Sequence, residues 1–190
     1  MFLSRLQIGL LIILCQLPIT SMAVVPKWQI VPAESKLSFT ATQNNAPVIG
    51  EFKAFQGEIN FDPNNLNESN IKIVVDMTSV YTSYSEVSTT LKTSDWFDVA
   101  KFPSAFFKAN NFTKNADNTY AVNGPLTIRD KTIPVTLFFV LEEYSATKAR
   151  AKGSVNLQRT LFGVGRGEWA QTDSIKDIVQ VNFVLSAVKK

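Results

Sequence analysis

The chain contains no histidine, and its single cysteine lies at position 15. Without an imidazole there is no Ser-His triad, no neutral-pH proton shuttle and no His-ligated zinc, copper or haem. One cysteine permits no internal disulfide, no Cys-x-x-Cys redox pair and no thiolate cluster. Basic runs are missing too. Lys and Arg total 19 against 16 acids, and they are scattered, with Lys189-Lys190 adjacent only at the very end. A small, dispersed excess of that kind makes no phosphate-tracking groove, so nucleic acid is not an expected partner.

What the chain does have begins with a leader. Arg5 supplies a positive start, Ile8–Cys15 is apolar, Pro18 breaks the run, and Ser21-Met22-Ala23 sets small residues where a signal peptidase reads. This predicts a signal peptide over residues 1–23 and one mature domain over residues 24–190. The apolar run is far short of the roughly 20 residues of a spanning helix. A lipidated Cys15 is disfavoured because bulky Leu14 precedes it. Removing the leader removes the cysteine, which suits an oxidising compartment.

The rest reads as strands. Leu37, Phe39 and Ala41 alternate with polar neighbours, as do Phe55, Gly57, Ile59 and Phe61, and Ile71, Ile73, Val75 and Met77 alternate with neighbours that are mostly polar. The same period returns in Ala149–Leu157 and Val179–Ala187. A period of two puts each apolar set on one face, so half-buried antiparallel strands are expected. Val135–Leu141 is apolar at both faces, apart from Thr136, and reads as a strand covered on both sides. Tyr120–Ile128 reads as one strand with a bulge at Gly124, turning at Arg129-Asp130-Lys131. Ser85 is placed to cap a short helix with Val87 and Leu91 one turn apart, and Ser94 to cap a turn through Phe97. Seven or eight strands with one short helical connection predict an all-β antiparallel barrel or sandwich. Of the 14 Phe, 13 lie beyond the leader, spread over nearly every strand. From the pattern alone these rings either pack on one another or line a cavity.

Several short motifs in fixed order carry a resemblance. They are Trp28-Gln29-Ile30, Glu34–Phe39, Gly50-Glu51-Phe52 with Phe55–Pro63, Leu91–Asp98, and Phe102-Pro103 with Phe106. Gly124–Ile128, Pro134-Val135, Leu157-Gln158-Arg159, Phe162–Gly165 and Gly167–Ala170 follow. From Trp28 to about Ala187 the chain resembles the YceI-like polyisoprenoid-binding proteins of bacterial periplasms. The resemblance implies a lipocalin-like extended antiparallel β-barrel in the periplasm, holding a polyprenyl lipid or isoprenoid quinone as ligand, with no other cofactor and no metal. It also implies transient contact with a membrane or a membrane redox protein, and leaves a homodimer open. The chain departs from the commoner pattern at Val87–Leu91, where many members carry Arg-Asp-x-His-Leu, and at Leu161, where many carry Asp. Both departures remove polar groups that would contact a charged headgroup or metal.

The residues expected to line such a lumen are Phe39, Phe55, Ile59, Phe61, Ile73 and Val75, then Phe139, Val155, Leu157 and Phe183. Trp96 and Arg159 are the polar-tipped candidates for a headgroup. The plainer role for Arg159 is a partner for Glu168 or for backbone carbonyls at the barrel end. Gly163, Gly165 and Gly167 lack the strand-turn-helix setting of a nucleotide fingerprint and read as strand flexing. The expected function is a carrier of isoprenoid lipid. The alternative is an adaptor presenting quinone or lipid to a membrane redox partner. An enzyme acting on a prenyl lipid would need a base, and Asp95, Asp98, Glu142 and Glu143 stand near turns, where carboxylates are usually solvated or capping.

Overall fold

Alternating apolar residues can be buried on one side only if the sheet curls around them, and this chain curls fully. The computed structural model describes residues 24–190; the leader expected over residues 1–23 lies outside them. In chain order the elements are β1 Lys27–Ile30, β2 Lys36–Gln43, β3 Ala46–Phe52, β4 Phe55–Asn60, β5 Asn70–Asp76, β6 Val80–Thr82 and α1 Ser85–Lys92. They continue with β7 Ser104–Ala109, β8 Asn111–Lys114, β9 Tyr120–Ile128, β10 Lys131–Tyr144, β11 Lys148–Gln158 and β12 Ile178–Lys189. Eight strands form a closed antiparallel ring in the order β1-β4-β5-β7-β9-β10-β11-β12, sealed by β12 against β1.

The ring is extended at one end. The edge of β12 that faces away from β11 serves two partners: Gln180–Val184 pairs with β2, and Ala187–Lys189 pairs with β1. From β2 the sheet continues through β3 to β6. Three long strands are therefore each broken once, between β1 and β2, β3 and β4, and β5 and β6. The first break is a short 3-10 turn at Pro32–Glu34, beside which Ser35 Oγ accepts from the Ser186 N–H at 3.0 Å. The other two breaks are tied together, with Lys53 N–H donating to the Ser79 carbonyl and Asp76 N–H to the Ala54 carbonyl. The breaks keep these backbone groups paired across them. They also raise the count of strands to twelve, above the seven or eight expected.

Four local expectations change. Strand β9 pairs with β10 in unbroken register from Tyr120↔Phe139 to Ile128↔Lys131, so Gly124 carries no bulge. The extra residue sits in the facing chain, where β7 gives way to β8: three residues there oppose Gly124 and Pro125. Glycine is needed at 124 because a Cβ would lie 2.1 Å from the Lys108 carbonyl oxygen. The outer side of β10 is not covered. Phe138 is 55% exposed and Val140 40%, because a single-layer barrel wall has solvent on its outer face. Helix α1 forms as expected, but its cap is Tyr84, without a side-chain hydrogen bond, and Ser85 is the first helical residue. The helix is instead tied to β6 by Ser88 Oγ, which accepts from the Thr82 N–H at 2.9 Å. The turn through Phe97 is likewise held by the Thr93 and Leu91 carbonyls, not by the Ser94 hydroxyl.

The interior holds two clusters. One end is filled by aromatic rings: Phe61 meets Phe112, Tyr120 and Phe139 at centroid distances of 5.4, 5.9 and 6.1 Å. Trp28 joins them, its indole N–H donating to the Phe61 carbonyl at 2.9 Å. The other end gathers Leu91 of α1, Trp96, and Phe162, Val164 and Ile175 from the loop between β11 and β12 against Phe39 and Val80.

Candidate functional site

Inward-facing side chains do not fill the barrel completely. A cavity of about 480 Å³ runs between the two clusters, within the size range of sites for small organic ligands. Every strand of the closed ring contributes to its wall. The structure brings all twelve sequence-predicted residues to the cavity wall. Phe39 comes from β2, Phe55 and Ile59 from β4 with Phe61 just beyond it, and Ile73 and Val75 from β5. Phe139 comes from β10, Val155 and Leu157 from β11, and Phe183 from β12, while Trp96 and Arg159 stand at the loop end.

Other wall residues escaped the sequence. Val135, Leu137 and Leu141 point inward beside Phe139 on β10. Their alternation was hidden because Phe138 and Val140 on the outer face are apolar as well. Val87 and Leu91 of α1 reach the wall, and so do Phe162, Trp169 and Ile175 of the long loop. No periodicity marks loop residues, so no sequence signal identified them.

Arg159 begins a 3-10 turn directly after β11. Its guanidinium is buried and every N–H is spent on a backbone carbonyl. Nε donates to Lys176, Nη1 to Val164 and Gly165, and Nη2 to Gln171 and Ile175, at 2.9 to 3.3 Å. Of the roles expected for Arg159, the carbonyl partner is the one the geometry displays, and Glu168 takes no part in it. A guanidinium saturated in this way organises the loop and has no donor left for a headgroup. The loop backbone accommodates it: Gly165 has φ +78°, and a Cβ there would lie 2.3 Å from Arg159 Nη1. Gly163 and Gly167 also have positive φ, so the three glycines shape a loop rather than flex a strand.

Asp177 braces the same turn, accepting from the Thr160 N–H at 3.0 Å, Thr160 Oγ1 at 2.8 Å and Gln158 Nε2 at 3.3 Å. Burial opposes its ionisation, but these hydrogen bonds and the Arg159 charge outweigh it and hold the carboxyl below the usual aspartate range. A carboxyl with a lowered folded pKa stabilises the fold above the ordinary aspartate range and loses that contribution as pH falls through the folded value. Asp177→Asn should therefore lower the melting temperature at pH 7, and the difference from the parent should shrink below about pH 4. Thermal unfolding over a pH series checks this.

Trp96 is clamped from three directions. Arg129, buried and itself at φ +56°, donates through Nη1 to the Ser94 carbonyl at 2.8 Å and to the Trp96 carbonyl, and faces Asp98 at 3.8 Å. The Arg159 Cζ lies 5.8 Å over the indole ring, and Trp169 packs against it at 5.8 Å. Trp96 is 7% exposed, and among the described residues its Nε1 has no hydrogen-bond partner.

The four carboxylates considered for acid–base work do not converge. Asp98 pairs with Arg129 and Lys101, and Glu142 with Arg150 at 2.9 Å. Among the described residues no group of three or more His, Cys, Asp or Glu stands ready for a metal.

Comparison with known proteins matches residues 28–187 to the model of the YceI-like domain. A UPF0312 protein of Vibrio parahaemolyticus is 31% identical over 88 residues, 46% of this chain and 47% of that protein. A UPF0312 protein of Yersinia pestis is 38% identical over 88 residues. The chain thus aligns with about half the length of these curated relatives. Among solved structures, Burkholderia cenocepacia BcnA superposes with a TM-score of 0.79 at 30% identity, covering 83% of this chain and 98% of that one. A polyisoprenoid binding domain from Saccharophagus degradans, implicated in plant cell wall breakdown, shares the fold with a TM-score of 0.66 at 15% identity, covering 88% of this chain and 100% of that domain.

Proposed function

The chain belongs to the YceI-like domain family, and from that premise we propose that it is a binding protein that holds a long isoprenoid lipid, a polyprenyl lipid or an isoprenoid quinone, inside its barrel. The observation that carries the reading is the cavity of about 480 Å³ inside the barrel, whose wall is aliphatic and aromatic apart from a few polar side chains. Such a wall suits a flexible apolar chain, because binding depends on removing area from water and needs no directed bonds. Burying about 500 Å² of isoprenoid at roughly 25 cal/mol/Å² is worth about 12 kcal/mol gross. Lost ligand freedom takes back several kcal/mol, which leaves micromolar to nanomolar binding. The polyisoprenoid-binding neighbour of the same fold supports this choice of ligand.

The reading places the protein in the periplasm, delivered by the leader over residues 1–23, and assigns it no catalytic step. The test is extraction of lipid from a bilayer. Purified protein mixed with vesicles carrying an isoprenoid quinone should co-elute with quinone after the vesicles are removed. Vesicles that keep all their quinone, and all of a polyprenol offered in its place, would sink the carrier reading.

A further inference from the structure

One residue marks where the cavity meets solvent. Of the residues that line it, Glu86 alone is exposed, the rest being buried or half-buried. Glu86 stands on the first turn of α1, and Val87 and Thr90 of the same helix also reach the wall. The β2–β3 hairpin brings Gln43 and Val48 to this end, and the long loop before β12 brings Trp169 and Ile175. The β3–β6 register pairs Gly50 with Thr82. Stepping outward from that pair reaches Ile49 on one side and Ser83, then Tyr84, on the other. The mouth is therefore bounded by the hairpin, by the start of α1 and by the long loop.

The rim holds large apolar side chains out in water. Ile49 is 64% exposed and Tyr84 68%, Pro47 is exposed beside them, and none of the three lines the cavity. The hairpin that carries Pro47 and Ile49 is stiff. Asn44 and Asn45 sit at φ +49° and +62°, as a tight two-residue turn requires, and the Asn44 N–H donates to the Ser174 carbonyl at 2.7 Å. Charge is nearly absent. Residues 43–49, 84–91 and 169–175 contain no Lys or Arg and two acids, Glu86 and Asp173. Lys92 and Lys176, which directly follow two of these segments, balance that pair. The rim is thus neutral, although the whole chain carries a net charge of +3.

Exposed apolar side chains of this size mark a surface that something covers. A stable protein partner needs an interface of at least about 1,200 Å² with a packed core, and three side chains set around an opening supply no such core. A bilayer surface asks for less. Tyrosine, with an apolar body and a wet tip, suits the headgroup level, and Ile and Pro can sink below it. A neutral rim matches a surface whose own charges cancel, and gains nothing from anionic lipid. We infer that the mouth between α1 and the β2–β3 hairpin is a membrane-docking surface, which seats on a zwitterionic bilayer through Pro47, Ile49 and Tyr84 and not through the positive charge of the chain. The inference rests on the carrier reading and gives it a route: lipid passes from the bilayer into the lumen beside Glu86.

The experiment compares the parent with a double variant, Ile49→Thr with Tyr84→Ser, and with Phe138→Ser, which removes an equally exposed ring from the outer face of β10. Thr suits a strand and Ser a helix cap, so the double variant should fold, and thermal unfolding checks that it does. Vesicles of phosphatidylcholine carrying an isoprenoid quinone are the first probe. The parent should bind them and draw quinone from them, and the double variant should do both about tenfold less well. Phe138→Ser should behave as the parent. Replacing about a third of the lipid with phosphatidylglycerol should not tighten binding, and added salt should not release the protein. The second probe is a short-tailed isoprenoid quinone titrated without vesicles, which parent and double variant should bind within about twofold of each other. Four results overturn the inference: tighter binding to the anionic vesicles that salt reverses, equal losses in the double variant and Phe138→Ser, no loss in the double variant, or a parent dimer in sedimentation that the double variant abolishes. A parent that binds no vesicle yet takes up the free quinone also overturns it and leaves the carrier reading standing. Failure to bind the free quinone defeats the carrier reading itself.

Discussion

Val155→Trp should weaken lipid binding about a hundredfold while the barrel stays folded. Val155 lies midway along β11, opposite Val181 of β12, which in turn pairs with Phe39 of β2. All three face the cavity. An indole there projects into open lumen rather than into packed core, so overpacking is mild. It occupies the path of the ligand tail. Excluding roughly 150 Å² of isoprenoid at about 25 cal/mol/Å² removes roughly 4 kcal/mol, and after the tail has re-coiled the loss should still be about a hundredfold in affinity. Asn156→Trp is the matched control. Adjacent strand residues point to opposite faces, and Asn156 is exposed on the outside, so its variant should take up lipid normally. Uptake measured for both, alongside thermal unfolding, decides the matter. Equal loss in the two variants would mean that the inward face is misassigned.

Arg159→Met should be the most destabilising change at the loop end. The substitution keeps the length of the stem but strands five carbonyls, those of Val164, Gly165 and Ile175 in buried places and those of Gln171 and Lys176 in partly buried ones. Removing a buried charged donor from its partners costs about 3–5 kcal/mol. Arg159→Lys should recover little, because an ammonium has fewer donors and lacks the planar fork that reaches carbonyls on several sides. Urea denaturation gives the free energy. Hydrogen exchange locates it: protection should fall first in residues 163–177, the segment that Arg159 gathers, and later in β11 and β12. A loss spread evenly over the barrel would contradict the hub role.

Why so much of this site was legible comes down to period. In β4, β5, β11 and β12 the inward residues alternate with polar ones, so Phe55, Ile59, Ile73, Val155 and Phe183 declared their face directly. In β10 the signal failed, because Phe138 and Val140 are apolar yet solvent-exposed, and an apolar outer face erases alternation. The breaks that divide three long strands were not legible either. They depend on hydrogen bonds between distant segments, such as Lys53 to Ser79 and Ser35 to Ser186, which leave no local pattern. Gly124 shows the converse case. Its sequence context suggested a bulge in its own strand, whereas the extra residue belongs to the neighbour and the glycine makes room for it. The polar end of the site was the least readable. Arg159 and Trp96 were identifiable as residues, but which of them has a free donor depends on loop carbonyls that meet only in the folded chain.

Native mass spectrometry of the protein isolated from cells that make isoprenoid lipids shows whether the barrel carries one. The spectrum should contain an added mass that solvent or collisional activation releases, and that fragments as an isoprenoid chain. A clean mass for the protein alone, combined with no mass gain after incubation with an isoprenoid quinone or a polyprenol, would contradict the carrier reading.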